Sequence, residues 1–142
     1  MRPIKFRVWD SQEEAWVNHS DFTMYLDGSI MIDKPYGTIH EEKPDRFKIC
    51  QFAGLLDKNG KEIYEGDIVA DQNDIKYIVI WHEVEACWFY EIASKTEGYL
   101  GYYGHADIKG KSGQFAPHGS ANGYIFKVIG NIYENPELLD PK

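Results

Sequence analysis

Apolar and polar side chains alternate along this chain in short runs, with turn residues between them, and no long amphipathic helix, heptad or internal repeat interrupts that pattern. Ile4, Phe6 and Val8 alternate with Lys5, Arg7 and Trp9, the period of a half-buried strand. Phe22–Leu26 and Ser29–Ile32 flank Asp27-Gly28. Read as a two-residue type I′ loop, that dipeptide sets Tyr25 opposite Ile30 and Met24 opposite Met31. Two prolines and the charged run Glu41–Arg46 mark Pro35–Arg46 as a connection. A strand over Phe47–Phe52 then leads to a second two-residue turn at Asn59-Gly60, which places Leu56 opposite Ile63 and Leu55 opposite Tyr64.

Tyr64-Glu65-Gly66-Asp67 reads as a bend, with Gly66 free to take positive φ and the Asp67 carboxylate able to accept backbone N–H groups. Ile75–His82 is the strongest strand: Ile75, Tyr77, Val79 and Trp81 share one face, and Ile78 and Ile80 make the other partly apolar. A strand apolar on both faces belongs in the middle of a sheet, with Cys87–Ile92 as its antiparallel partner. Gly98–Gly123 holds seven glycines and a proline without a sustained period, which predicts a long, mobile excursion with little core. Tyr124–Tyr133 closes the sheet, Gly130 marks a bulge, and Asn135-Pro136-Glu137 predicts one short helical turn capped by Asn135. The expectation is a mainly β fold and a single domain over 1–142, with an N-terminal β-hairpin extension over 1–50 and a barrel over 51–142.

Composition supports strands, since aromatics reach 15% of the chain, with ten Tyr, seven Phe and four Trp. The formal net charge of −8, from 23 acidic against 15 basic side chains, argues against non-specific nucleic-acid binding, which needs clustered Lys and Arg. Cys50 and Cys87 match no metal or redox spacing. No apolar run is long enough to span a bilayer, and the opening residues lack the apolar core of a signal peptide. A reduced, cytoplasmic protein is expected.

Three blocks stand out: Ile4-Lys5-Phe6-Arg7-Val8-Trp9-Asp10; Gln51-Phe52-Ala53-Gly54-Leu55 with Asp57-Lys58-Asn59-Gly60-Lys61-Glu62-Ile63-Tyr64-Glu65-Gly66-Asp67-Ile68-Val69; and Val128-Ile129-Gly130-Asn131-Ile132-Tyr133-Glu134-Asn135-Pro136-Glu137-Leu138-Leu139. In this order they resemble the YopX family. The resemblance implies a phage or prophage protein with an SH3-like, partly open β-barrel and no assigned activity, so it supplies no catalytic residues. The family's pattern favours Tyr and Thr where this chain has Phe52 and Ala53, so both positions read as packing.

Several constellations admit both a functional and a plainer reading. Gly110-Lys111-Ser112 is not a phosphate loop, because His105 stands where its first glycine belongs. No two of the five histidines share the i, i+4 spacing of a helical metal site, and neither metal nor cofactor is expected. Glu65 and Asp67, with Glu62 nearby and His82 as a base, sketch a small hydrolase. The plainer reading leaves Glu65 solvated and gives Asp67 to the turn amides. Lys5, Arg7 and Trp9, beside Arg2, sketch a nucleic-acid strip; an ordinary outer strand face is the plainer reading. The favoured reading is a non-enzymatic module that binds a host or phage protein, or assembles with itself as a homo-oligomer, with no membrane. Its candidate surface pairs Tyr64, Glu65 and Asp67 with Asn131, Tyr133 and Glu134, as adjacent rims of one patch.

Overall fold

The computed structural model describes residues 3–84, 86–93, 112–114 and 126–139. The fold is mainly β, with a sheet curled into half a barrel and only isolated 3-10 turns as helix, which is compatible with the SH3-like expectation. Contacts divide the chain into two compact units, Lys5–Gln51 and Met1–Ile4 with Phe52–Lys142.

In the Lys5–Gln51 unit, β1 (Phe6–Asp10) pairs antiparallel with β2 (Ala15–Trp16) and with the first half of β6 (Phe47–Leu56). A 3-10 turn at His19–Asp21 leads to a three-stranded meander of β3 (Phe22–Met24), β4 (Ile30–Lys34) and β5 (Gly37–Glu41). Alternation decides what is buried: Ile30 and Ile32 pack with Val8 and Phe47, and Phe22, Met24 and Ile39 lie against them. β5 corrects the expectation of a bare connection over Pro35–Arg46. Its one apolar side chain, Ile39, is enough to pair it with β4 once Pro35-Tyr36 turns the chain.

In the other unit, the second half of β6 pairs with β7 (Glu62–Tyr64). A five-stranded sheet follows in the order β11 (Ser112–Gln114), β10 (Cys87–Ile92), β9 (Lys76–His82), β8 (Asp67–Ala70), β12 (Lys127–Asn131). β9 is central, as its two apolar faces require, and its register sets Val79 against Tyr90 and His82 against Cys87. Val79 is buried, Ile78 and Ile80 are half-buried, and Ile75 and Trp81 at the ends are exposed. The core joins Ala53, Ile63, Val69, Tyr77, Val79, Trp88, Tyr90, Phe126 and Val128. Within it, Tyr77, Tyr90 and Phe126 contact one another at ring separations of 4.9–5.6 Å. Gly130 does follow a bulge, because the β8–β12 register shifts between Val128 and Gly130. The excursion expected over 98–123 lies outside the described residues except for β11, which pairs antiparallel with β10.

Two predicted registers slip by one residue. Met24 faces Ile30 and Thr23 faces Met31, while Leu56 faces Glu62. Each hairpin has a three-residue loop: Tyr25 N–H bonds Ser29 O at 3.0 Å and Asp57 N–H bonds Lys61 O at 2.7 Å. The last loop residue, Gly28 or Gly60, sits at φ +86° or +81°. That is the G1-bulge alternative, which accepts the same Asp-Gly and Asn-Gly dipeptides as a type I′ turn.

Candidate functional site

The polar groups that organise this molecule are buried, and most of them bind backbone. Asp57-Lys58-Asn59-Gly60-Lys61 and Asp71-Gln72-Asn73-Asp74-Ile75 form the same turn twice. In each, the first residue exchanges backbone bonds with the fourth and fifth, and its Oδ1 accepts the N–H groups two and four residues on, at 2.8 and 2.9 Å for Asp57 and 2.8 and 3.1 Å for Asp71. Asp74 takes the left-handed position that Gly60 takes in the first copy, at φ +59°. The remaining oxygens differ. Asp57 Oδ2 accepts the Val128 amide at 2.9 Å, joining the β6–β7 hairpin to β12, whereas Asp71 Oδ2 accepts the Tyr77 hydroxyl at 3.2 Å. Burial works to raise the Asp57 pKa, but the amides of Val128, Lys61 and Asn59 outweigh it and hold the carboxyl below its ordinary value. Burial, then the Asp71 charge, pushes the Tyr77 hydroxyl up.

The bend at Tyr64–Asp67 and the end of β12 are hydrogen-bonded neighbours. Asp67 is the register partner of Asn131, and Ile132 N–H donates to Gly66 O at 2.9 Å. Gly66 sits at φ +81°, and a Cβ there would come within 3.4 Å of both the Ile132 side chain and the Tyr133 ring. Asp67, 1% exposed, accepts the Tyr64 amide through Oδ2 at 2.8 Å. Asn131 Oδ1 accepts the Tyr133 and Glu134 amides at 3.0 and 2.9 Å. Tyr64 is buried against Phe52, and its hydroxyl donates to Glu62 at 2.9 Å. Of the six predicted surface residues, three therefore shape the patch from beneath, while Glu65 and Tyr133 are half-buried and Glu134 is exposed at its surface. The Asn135 side chain, expected to cap the closing helical turn, turns back instead: its Oδ1 accepts the Asn131 amide at 3.3 Å, directly over Gly130.

The other two constellations are placed differently. Gly66 N–H bonds Val79 O, and His82 lies farther along β9, about 10 Å beyond Val79 in an extended strand. His82 is 7% exposed, with its ring 4.8 Å from that of Phe89. In β1, Trp9 is 6% exposed, edge-on to Trp16 at 5.1 Å, and the Arg7 guanidinium lies 4.3 Å over Trp16. The aromatic intended for base stacking thus packs within its own unit.

One cluster escaped the sequence reading. Asp10 is 1% exposed and pairs with Arg46 through two parallel bonds of 2.8 Å, while Lys34 Nζ reaches its Oδ2 at 2.8 Å. Gln12 and Glu13 amides complete the shell. Lys34 also bonds Glu13 at 2.6 Å, and Tyr36 bridges Glu13 and Arg46. The Arg46 bond, against the opposing effect of burial, and then the Lys34 bond hold the Asp10 carboxyl far below the usual carboxylate range. The partners stand 36 and 24 positions away, so no local motif announced them; the signal was a lone Asp closing an alternating strand. Among the described residues, no group of three or more His, Cys, Asp or Glu is placed to hold a metal ion, and no helix is long and apolar enough to cross a membrane.

A family model described as YopX protein matches residues 5–140. The chain belongs to the YopX family. Two solved structures share its fold with a TM-score of 0.56 each: protein EF1440 from Enterococcus faecalis, at 23% identity over 98% of this chain and 99% of that one, and protein yopX from Bacillus subtilis, at 16% identity over 97% and 98%. No curated protein matches the chain. The residues that carry the YopX resemblance include Asp10, Asp57, Asp67 and Asn131, which are the buried polar groups that hold turns and strand ends. Phe52 and Ala53, 5% and 4% exposed, are packing residues as the sequence suggested.

Proposed function

We propose that this YopX protein is a non-enzymatic interaction module of phage or prophage origin, acting in the cytoplasm of its bacterial host by binding another protein or a second copy of itself. The observation that carries the reading is how the acidic groups are used. Asp67, which with Glu65 and His82 makes up the hydrolase alternative, is buried with its carboxylate on the Tyr64 amide, and Asp57 spends both oxygens on three amides. A general acid or base must reach a reacting proton, and these carboxylates reach backbone instead. What the bend and the β12 end offer is shape: Glu65, Tyr133 and Glu134 on a base fixed by Asp67, Asn131 and Gly66. A rigid tyrosine beside carboxylates suits a protein surface.

The test is capture of partners from host-cell extract by the full chain and by the Tyr133→Ser, Glu134→Lys double variant, with sedimentation velocity to detect self-association. The reading expects capture or self-association to fall at least tenfold with an unchanged melting temperature. Unchanged capture and assembly, or a loss matched by lost stability, sinks it.

A further inference from the structure

The three-stranded meander ends on a strand whose outer edge is built to pair. The Tyr25–Ser29 bond fixes the phase of the β3–β4 ladder. Hydrogen-bonded and non-bonded pairs alternate along an antiparallel ladder, so Thr23 and Met31 are bonded, and Ile30, Ile32 and Lys34 turn their backbone groups toward β5. Their partners there are Glu41, Ile39 and Gly37. The amide and carbonyl groups of Thr38 and His40 therefore point outward along β5, and β5 is the last strand in its sheet among the described residues. Both residues are exposed. Devices that usually blunt such an edge are sparse in Gly37–Glu41: the strand holds no proline, and its single charge, Glu41, shares the face of Ile39 but stands at the strand's last position, where it accepts the Asp45 amide at 3.0 Å.

The face beside that edge is soft and aromatic. Met31 stands between Thr23 and His40 in register, the Tyr25 ring is edge-on to His40 at 6.2 Å, and its hydroxyl lies 3.8 Å from the Met31 sulfur. Tyr25 is 43% exposed and Leu26, at the hairpin tip, is fully exposed. The charge along this sheet is acidic. Asp27 and Asp33 flank the face, Glu41 ends β5 and Glu42 follows it, while Lys34 is committed to Asp10 and Glu13.

We propose that β5 accepts an extended, basic segment of a partner protein as a fourth strand of this sheet. Backbone bonds to Thr38 and His40 hold the segment, Glu41 and Glu42 select its charge, and the Tyr25–Met31–His40 face receives alternate side chains. A second copy of the chain is disfavoured as occupant by its net charge of −8. The inference rests on the interaction-module reading but uses a surface separate from the Tyr133 patch.

The experiment titrates isotope-labelled full-length chain with a synthetic peptide of alternating lysine and valine or threonine, and with the same peptide carrying glutamate for lysine. The lysine peptide is expected to shift amides of Thr38–Glu41 with a dissociation constant on the order of 100 µM, and the glutamate peptide to leave them unmoved. Thr38→Pro and His40→Pro each remove one outward N–H, a change an edge strand tolerates, and each should abolish the shifts with the melting temperature retained. Glu41→Lys with Glu42→Lys, which leaves the outward backbone groups of Thr38 and His40 intact, should weaken the lysine peptide about tenfold. The inference is overturned if the shifts map elsewhere, if both peptides bind alike, if the charge reversal changes nothing, or if a concentration-dependent dimer that both proline variants dissolve shows the edge occupied by a second copy. Loss of peptide binding at β5 with the Tyr133 patch still capturing partners removes this inference alone.

Discussion

The two units of this protein are fastened by different means. In Lys5–Gln51 the buried apolar cluster is small, Val8, Ile30, Ile32 and Phe47, and the strands are tied by a charged cluster in which one buried carboxylate faces a guanidinium and an ammonium. In the unit that contains Phe52–Ile92, the core is larger and aromatic, and the buried carboxylates Asp57 and Asp67 meet amides. Ionic fastening stands or falls with its partners, because removing one leaves the others as uncompensated charges in a poorly hydrated place. Amide fastening around an apolar core distributes the same task over several modest bonds. In the first unit the charged cluster centres on a single side chain, Asp10.

The strongest way to break this comparison is Asp10→Ala. It leaves Arg46 and Lys34 with only the exposed Glu13 as a carboxylate partner, and urea unfolding should show a loss of about 3–5 kcal/mol, with hydrogen exchange accelerating first across Lys5–Gln51. Acid should discriminate in the same direction. The folded pKa of Asp10 lies below its unfolded value of about 3.9, so its stabilisation is complete above that value and drains away as pH falls below about 4. Protection in Lys5–Gln51 should therefore decline on acidification, and Asp10→Asn should flatten that decline; an unchanged profile would sever the charged cluster from stability.

Within the second unit, Asp57→Ala leaves three amides without their acceptor and should cost about 2–3 kcal/mol, against about 1 kcal/mol for Asp71→Ala in the more exposed copy of the turn. Equal losses would show that the Val128 bond contributes nothing. Gly66→Ala forces an L-residue into φ +81° against Tyr133 and should cost about 1–2 kcal/mol in thermal unfolding. The smallest effect runs the other way: Ala86 is exposed at φ +50°, and Ala86→Gly should stabilise by about 1 kcal/mol or less.

Much of the strand content was legible because alternation is a local signal: β9, β10, the Gly130 bulge and the Gly66 bend all follow from residues within a few positions. Registers were not, since Asp-Gly and Asn-Gly fit two loop lengths, and one residue of slip reverses every side chain. The apolar pattern held the answer for the first hairpin, where only the observed register sets Phe22 against Ile32 and Met24 against Ile30. β5 was missed because a single isoleucine among polar residues is no pattern. Of the candidate patch, the Tyr64–Asp67 bend and the Asn131–Glu134 strand end were read as adjacent rims, and Ile132 N–H does bond Gly66 O. That Asp67 accepts a backbone amide was legible in the bend, but its burial and that of Asn131 were not, because burial depends on strands distant in the chain. The Asp10 cluster was invisible for the same reason: its partners come from distant strands.

Carbon-detected NMR titration of the side-chain carboxyls of Asp10 and Asp57 bears most directly on the claim that the acidic groups of this YopX protein build the fold rather than perform chemistry. Both are predicted to titrate below the ordinary value of about 3.9. A carboxyl at either position that titrates at or above that value would contradict the account.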